Sequence, residues 1–237
     1  MLTNKNVLVN GCSFSRGPNS WPYAFQKLVN CELVNLAQAG AGNTYIHDTT
    51  IREVATRSYD LAIIMWTGIS RIDCQVEDIE YFSQTTYTSA YQSTQNDWPE
   101  KVAHPINDQD RVEKNWVFGN GVMNQDSFLV NEKFLRSEYE HCGEAEFVNS
   151  FLTNVVSLQS VLNQMNLPYV FLYYDAYQHK LKLNNLYNLI DQQNVCDNDN
   201  IKSIMQRLSS YDPDGIHPGI EAHYEVAQNI YNHLRAQ

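Results

Sequence analysis

Asp60-Leu61-Ala62-Ile63-Ile64-Met65-Trp66 decides the fold of this chain. A strand with one wet face alternates apolar and polar residues, whereas a strand covered on both faces reads as a continuous apolar run. This run therefore predicts a central parallel strand with helices above and below it. Three other segments match it: Val7-Leu8-Val9 ending at Asn10-Gly11, residues 32–36, and Tyr169-Val170-Phe171-Leu172-Tyr173-Tyr174. Between and after them lie segments with apolar residues at steps of three and four, the helical period. Residues 21–29 carry Trp21, Ala24, Phe25 and Leu28, and residues 44–57 carry Ile46, Thr50, Ile51, Val54 and Ala55. From Glu146, a stripe of Phe147, Phe151, Val155, Leu158, Leu162 and Met165 runs on to Asn166-Leu167-Pro168. Residues 184–193 and 200–208 also look helical. Residues 219–236 form a last helix, with Ile220, Tyr224, Ala227, Ile230 or Tyr231, and Leu234 expected on its buried side. Strands alternating with helices predict a three-layer α/β/α sandwich around a mainly parallel sheet of about five strands.

The pattern breaks between about 74 and 145. There the chain is polar, aromatic-rich and poorly periodic, with Tyr81, Phe82, Tyr87, Tyr91, Trp98, Trp116, Phe118 and Phe128. A plain loop of that length is rare inside a compact domain. The expectation is one domain over 1–237 with an insertion at about 74–145, over or beside the functional edge of the sheet. The aromatics suit a sugar-binding cleft, a small core of their own or a homo-oligomer contact.

Composition narrows the partners. The net charge is −11, and the 16 Lys and Arg are scattered without a run. Nucleic acid and anionic membrane are excluded on that balance. Five cysteines, an odd number with none at metal-ligand spacing, suggest neither a disulfide framework nor a zinc site. The reading is reduced thiols in a cytoplasmic protein with no signal peptide, no membrane span, no metal and no cofactor.

Two short segments carry chemistry. Asn10-Gly11-Cys12-Ser13-Phe14-Ser15 follows the first strand, where a hydroxyl can be presented to a cleft at the carboxyl edge of the sheet. Serine is a weak nucleophile until a base takes its proton. Of seven histidines, only His217 has an acid in a constrained local frame, in Asp212-Pro213-Asp214-Gly215-Ile216-His217-Pro218. Asp214 at three residues' distance can accept from Nδ1–H and leave Nε2 as a base toward Ser13. Asp212 competes for the acid role with poorer spacing and reads better as a turn former. A calcium loop is ruled out, because Ile216 and His223 occupy ligand positions. Cys12 reads as a buried thiol and Ser15 as a cap. Two glycine-containing segments, residues 35–43 and 66–71, end at the same edge and can offer backbone N–H groups to an oxyanion, about 3 kcal/mol each.

The order of these blocks resembles the SGNH (GDSL-like) hydrolase superfamily over residues 5–71 and about 168–237. Gly11-Cys12-Ser13 stands where that family reads Gly-Asp-Ser, and Asp214-x-x-His217 stands where it has its acid and base. Gly40 falls at the glycine whose N–H helps hold the oxyanion, and Gly68-Ile69-Ser70-Arg71 at the family's Gly-x-Asn-Asp block. The resemblance implies a flavodoxin-like sheet and a serine esterase acting on a small O-acyl ester, for example an acetyl group on a carbohydrate. It implies Ser13, Asp214 and His217 as the triad and Ser13, Gly40 and Ser70 or Asn43 as oxyanion donors. Two departures are visible. Cys12 replaces an aspartate that is not the nucleophile. Ser70 replaces the oxyanion asparagine, which bears on how complete the hole is. Arg71 is either a contact to a substrate carboxylate or sugar, or a structural partner of Asp73 or Glu77. The same triad also serves an acyltransferase, and a non-catalytic module that keeps the fold is a third reading.

Overall fold

The computed structural model describes residues 3–75, 116–119, 143–176, 178–196 and 199–237. Four strands form one parallel sheet: β1 (Asn6–Asn10), β2 (Glu32–Asn35), β3 (Leu61–Trp66) and β6 (Tyr169–Tyr173), in the order β2-β1-β3-β6. Val7 sits opposite Leu33 on one side and Leu61 on the other, and Ile64 lies opposite Phe171. Every residue of β3 is buried, as its unbroken apolar run requires. The chain moves outward from β1 to β2 and then back across to β3. With right-handed crossovers, this reversal puts the first two connecting helices on opposite faces.

Those helices are α1 (Trp21–Val29) and α2 (Asn43–Thr56). α1 packs against the last helix, α6 (Ile220–Ala236), which also receives α5 (Ile201–Leu208). α2 packs against α3 (Glu144–Gln164), the crossover into β6. Trp21, Phe25, Trp66, Phe151 and Phe171 are fully buried between the layers. Each large apolar side chain so placed contributes about 1.5–3 kcal/mol by leaving water.

Several expectations are corrected in detail. The sheet has four strands where about five were expected. The fifth place is held by a single parallel bridge between Phe171 and Val195, beside a Cys196 N–H bond to the Phe171 carbonyl. Residues 184–193 make two 3₁₀ turns, Asn185–Leu189 and Gln192–Asn194, each started by an Asx side chain. On α6 the buried face is Ala222, His223, Val226, Ala227 and Ile230, while Ile220 and Tyr224 are exposed. Within the stretch read as irregular, β4 (Ile72–Gln75) pairs antiparallel with β5 (Trp116–Gly119). Most of the insertion expected at about 74–145 lies outside the described residues. α4 (Gln178–Leu181) is a single turn after β6. No described helix is long and apolar enough to cross a membrane.

Candidate active site

The carboxyl ends of β1, β2, β3 and β6 form one edge, and the order reverses at β1, where open α/β sheets place their ligands. The end of β1 is pinned first. The Asn10 carboxamide is fully buried; its oxygen accepts the Gly11 N–H at 2.8 Å. Its nitrogen donates to the Ile46 carbonyl and to the Thr49 and Thr50 hydroxyls of α2. The chain then tightens into a 3₁₀ turn, Ser13–Ser15. Cys12 and Ser15 are completely buried, and the Ser15 hydroxyl accepts the Trp21 indole N–H at 3.0 Å. Ser13 alone of the three keeps exposed surface. Ser15 is thus locked inside the turn rather than capping a helix.

The second segment is the loop between α5 and α6. It is closed by an antiparallel bridge between Tyr211 and Pro218 and by an Asp212 N–H bond to the His217 carbonyl at 2.9 Å. Inside it, Asp214 Oδ1 accepts the backbone N–H groups of Ile216 and His217, both at 2.9 Å, and Asp214 Oδ2 meets His217 Nδ1. Partial burial works to raise the Asp214 carboxyl, but these N–H groups and the imidazole hold it below the usual carboxylate range. Asp212 is pushed the other way, by burial and by the charge of Asp214. Of the two acids, the one on the imidazole is therefore the more readily ionised. An ionised Asp214 accepts Nδ1–H, so Nε2 carries the free lone pair. Among the described residues, Nε2 makes no hydrogen bond, including none to Ser13. The two segments meet through Phe14, whose ring lies 5.3 Å from the His217 ring and 4.8 Å from that of Tyr174, edge-on.

The oxyanion candidates lie on the loops after β2 and β3. Gly40 has a left-handed φ of 82°, natural only for a residue without Cβ. Among the described residues, neither its N–H nor that of Ser13 is taken up by a hydrogen bond. The Gly40 loop is tied to the Ser13 loop by Gln38 N–H to the Gly11 carbonyl and Asn35 Nδ2 to the Ser15 carbonyl. Asn43 is nearly fully buried, and its carboxamide clasps the other loop. It accepts the Thr67 N–H and donates to the Gly68 carbonyl, both at 3.0 Å. Ser70 is half-buried in the turn that Arg71 N–H closes onto the Gly68 carbonyl. Arg71 Nη1 donates to the Ala41 carbonyl at 3.1 Å, while Asp73 binds elsewhere.

Two residues of this edge had no motif to announce them. Asp73, on β4, reaches the N-terminus of α2 and accepts from the N–H groups of Gly42, Thr44 and Tyr45 at 2.7–3.2 Å. Burial pushes its pKa up to about 6 against the pull of those amides. A Cβ on Gly42 would stand 2.8 Å from the Asp73 carboxyl carbon, so this close approach requires glycine. His223, on the buried face of α6, accepts the Trp21 N–H at Nδ1, 3.1 Å, and so caps α1. Burial, with a smaller push from His217, brings its pKa down to about 4 and keeps it neutral. Both contacts join positions far apart in sequence, which no local spacing reveals.

The chain matches no family model. No curated protein resembles it in sequence. Among solved structures it is similar to TesA, with 12% identity and a TM-score of 0.52 over 98% of this chain and 99% of that one. It is also similar to the psychrotrophic esterase EstA from Pseudoalteromonas sp., in a structure inhibited by monoethylphosphonate, with 11% identity and a TM-score of 0.51 over 98% of each chain. A lipolytic protein of the G-D-S-L family from Desulfitobacterium hafniense DCB-2 aligns with 12% identity and a TM-score of 0.49 over 97% of this chain and 99% of that one. At such identities the likeness speaks for the fold. The chain thus shares with TesA and EstA the fold of a parallel sheet between helical layers, in line with the fold that the SGNH (GDSL-like) resemblance implies.

Proposed function

We propose that the chain is a serine esterase that cleaves a small O-acyl ester, such as an acetyl ester of a carbohydrate, with Ser13 as nucleophile. The observation that carries the reading is the Asp214–His217 pair. It is held on a closed loop with Nε2 unoccupied and packed through Phe14 against the turn that exposes Ser13. In this reading Ser13 Oγ attacks the ester carbonyl while His217 Nε2 takes its proton. The negative charge on the tetrahedral oxygen is met by the N–H groups of Ser13 and Gly40. In this reading Ser70 takes the role of a third donor. Asn43, spent on Thr67 and Gly68, acts by holding the loops together. His217 then gives its proton to the leaving alcohol, and water repeats the sequence on the acyl-enzyme. Asp214 holds the imidazole in the required tautomer and stabilises it when charged.

Catalytic hydrogen bonds are often loose before substrate binds, so the absence of a Ser13–His217 bond is compatible with this mechanism. Hydrolysis of 4-nitrophenyl acetate by the wild type and by Ser13→Ala tests it. The expected result is a loss of about 10³-fold or more in kcat. Equal rates would point to a non-catalytic module on the same fold.

A further inference from the structure

We infer that the esterase site takes an ester carrying an anionic group, a carboxylate in the simplest case, and that Arg71 is the residue that holds it. The inference rests on the esterase reading and adds the class of substrate. Arg71 follows the loop after β3, on the Gly40 side of the edge. Arg71 is half-buried, and among the described residues its guanidinium makes one hydrogen bond, from Nη1 to the carbonyl of Ala41, the neighbour of Gly40. A guanidinium has five N–H donors arranged to grip a carboxylate in parallel, and a single backbone carbonyl uses one of them. Among the described residues no carboxylate lies within ion-pair distance of it. Of the two expected partners, Asp73 spends its oxygens on the α2 amides, and Glu77 lies outside the described residues.

This is unusual in a chain of net charge −11, where 27 acidic residues outnumber 16 basic ones. A half-buried cation without a counterion among the described residues gives up hydration with no ion pair from them in return. Of the neighbouring cations, Arg16 on the nucleophile turn is also half-buried with no ion pair among the described residues, whereas Lys202 is compensated. Lys202 is bound to Asp175 at 2.6 Å while lying over the Tyr174 ring. Tyr174 in turn packs edge-on against Phe14, next to Ser13. Arg71 is thus linked through Ala41 to Gly40, the oxyanion glycine of this reading. The acids Asp212 and Asp214 lie on the imidazole loop, and neither is within ion-pair distance of Arg71. A purely structural tie to Ala41 needs a neutral donor only, and a glutamine could supply it.

The charge on the substrate can sit on the acyl part or on the alcohol part, and two matched pairs of esters separate these. The first pair is 4-nitrophenyl hemiglutarate against 4-nitrophenyl butyrate. The second is 4-acetoxybenzoate against 4-acetoxybenzamide. The wild type is expected to prefer the anionic member of one pair in kcat/KM by about tenfold or more, the usual scale of a charge-assisted contact. In Arg71→Gln that preference collapses toward unity, in Arg71→Lys part of it returns, and Arg16→Gln keeps it. No preference in either pair, or a preference that survives Arg71→Gln, overturns the inference. A second readout does not depend on turnover. Calorimetry on Ser13→Ala should detect glutarate or 4-hydroxybenzoate but not 4-hydroxybenzamide, and the Arg71→Gln change in that background should abolish the heat. Binding with that dependence but no ester hydrolysis by the wild type would uphold Arg71 and sink the esterase reading. Hydrolysis of both neutral esters without anion preference or carboxylate binding would do the reverse.

Discussion

At the scale of single residues, the candidate site depends on Asp214 acting as a carboxylate. Asp214→Asn keeps an acceptor for the Ile216 and His217 amides but offers no charge to Nδ1–H, and the amide can turn its NH₂ to the ring and select the wrong tautomer. The expected cost is about 10³- to 10⁴-fold in kcat with KM little changed, measured on any ester the wild type turns over. A second Ser-His-Asp set shows why residue types alone are weak evidence. His47 bonds Asp48 at 2.6 Å and Ser157 at 3.0 Å between α2 and α3. Ser157 lies in the interior of α3, where its backbone N–H belongs to the helix ladder, so no donors are available for an oxyanion. That trio ties two helices together. The sequence did point to Ser13 and His217, because one follows a buried strand and the other sits in a turn with its acid. It left Asp73 and His223 unannounced, because each acts on a partner brought near only by folding.

At the scale of elements, the strands were readable because burial on both faces leaves a continuous apolar run. The fifth strand was not, because Asn194-Val195-Cys196 offers too short a run and only one bridge forms. On α6 the expected Ala227 and Ile230 are buried, and only the first turns of the expected face, Ile220 and Tyr224, were misplaced. Ile220 and Tyr224 share the helical stripe, but the helix turns toward α1 so that His223 can cap it. The N-terminus of α2 is the element most dependent on a remote residue. Asp73→Ala would leave the Gly42, Thr44 and Tyr45 amides without their acceptor, and an unmade buried hydrogen bond costs about 1–3 kcal/mol. Gly42→Ala forces its new methyl against a carboxyl group that three bonds hold in place. Overpacking of this kind costs about 1–3 kcal/mol. Urea unfolding should show both losses, and activity should fall further in each than stability explains, because the Gly40 loop leads directly into α2.

At the scale of the whole molecule, the two buried titratable groups oppose each other. The folded pKa of His223 lies near 4 against an ordinary 6.5, so the unfolded chain binds the extra proton and stability falls as pH drops from about 6.5 to 4. The folded pKa of Asp73 lies near 6 against 3.8, so the folded chain binds the extra proton and stability rises as pH drops from about 6 to 3.8. Each displacement is worth about 3 kcal/mol when fully developed, and over that window the two slopes cancel. Asp73→Asn should therefore lose stability on going from pH 7 to pH 4.5 relative to wild type, and His223→Gln should gain it. Urea midpoints at the two pH values measure this, and comparison with wild type removes the other carboxylates. Parallel slopes in all three proteins would refute the assignment. The architecture beneath these effects brings Ser13 and His217, separated by most of the chain, to one edge of one sheet. The activation of Ser13 there is the central claim. Labelling with a fluorophosphonate, located by peptide mass spectrometry, tests it whatever the natural ester is. The account predicts one adduct, on Ser13, lost in Ser13→Ala and slowed by about 10³-fold or more in His217→Ala. An unlabelled protein, or a label on Ser157 or another serine that survives Ser13→Ala, would contradict it.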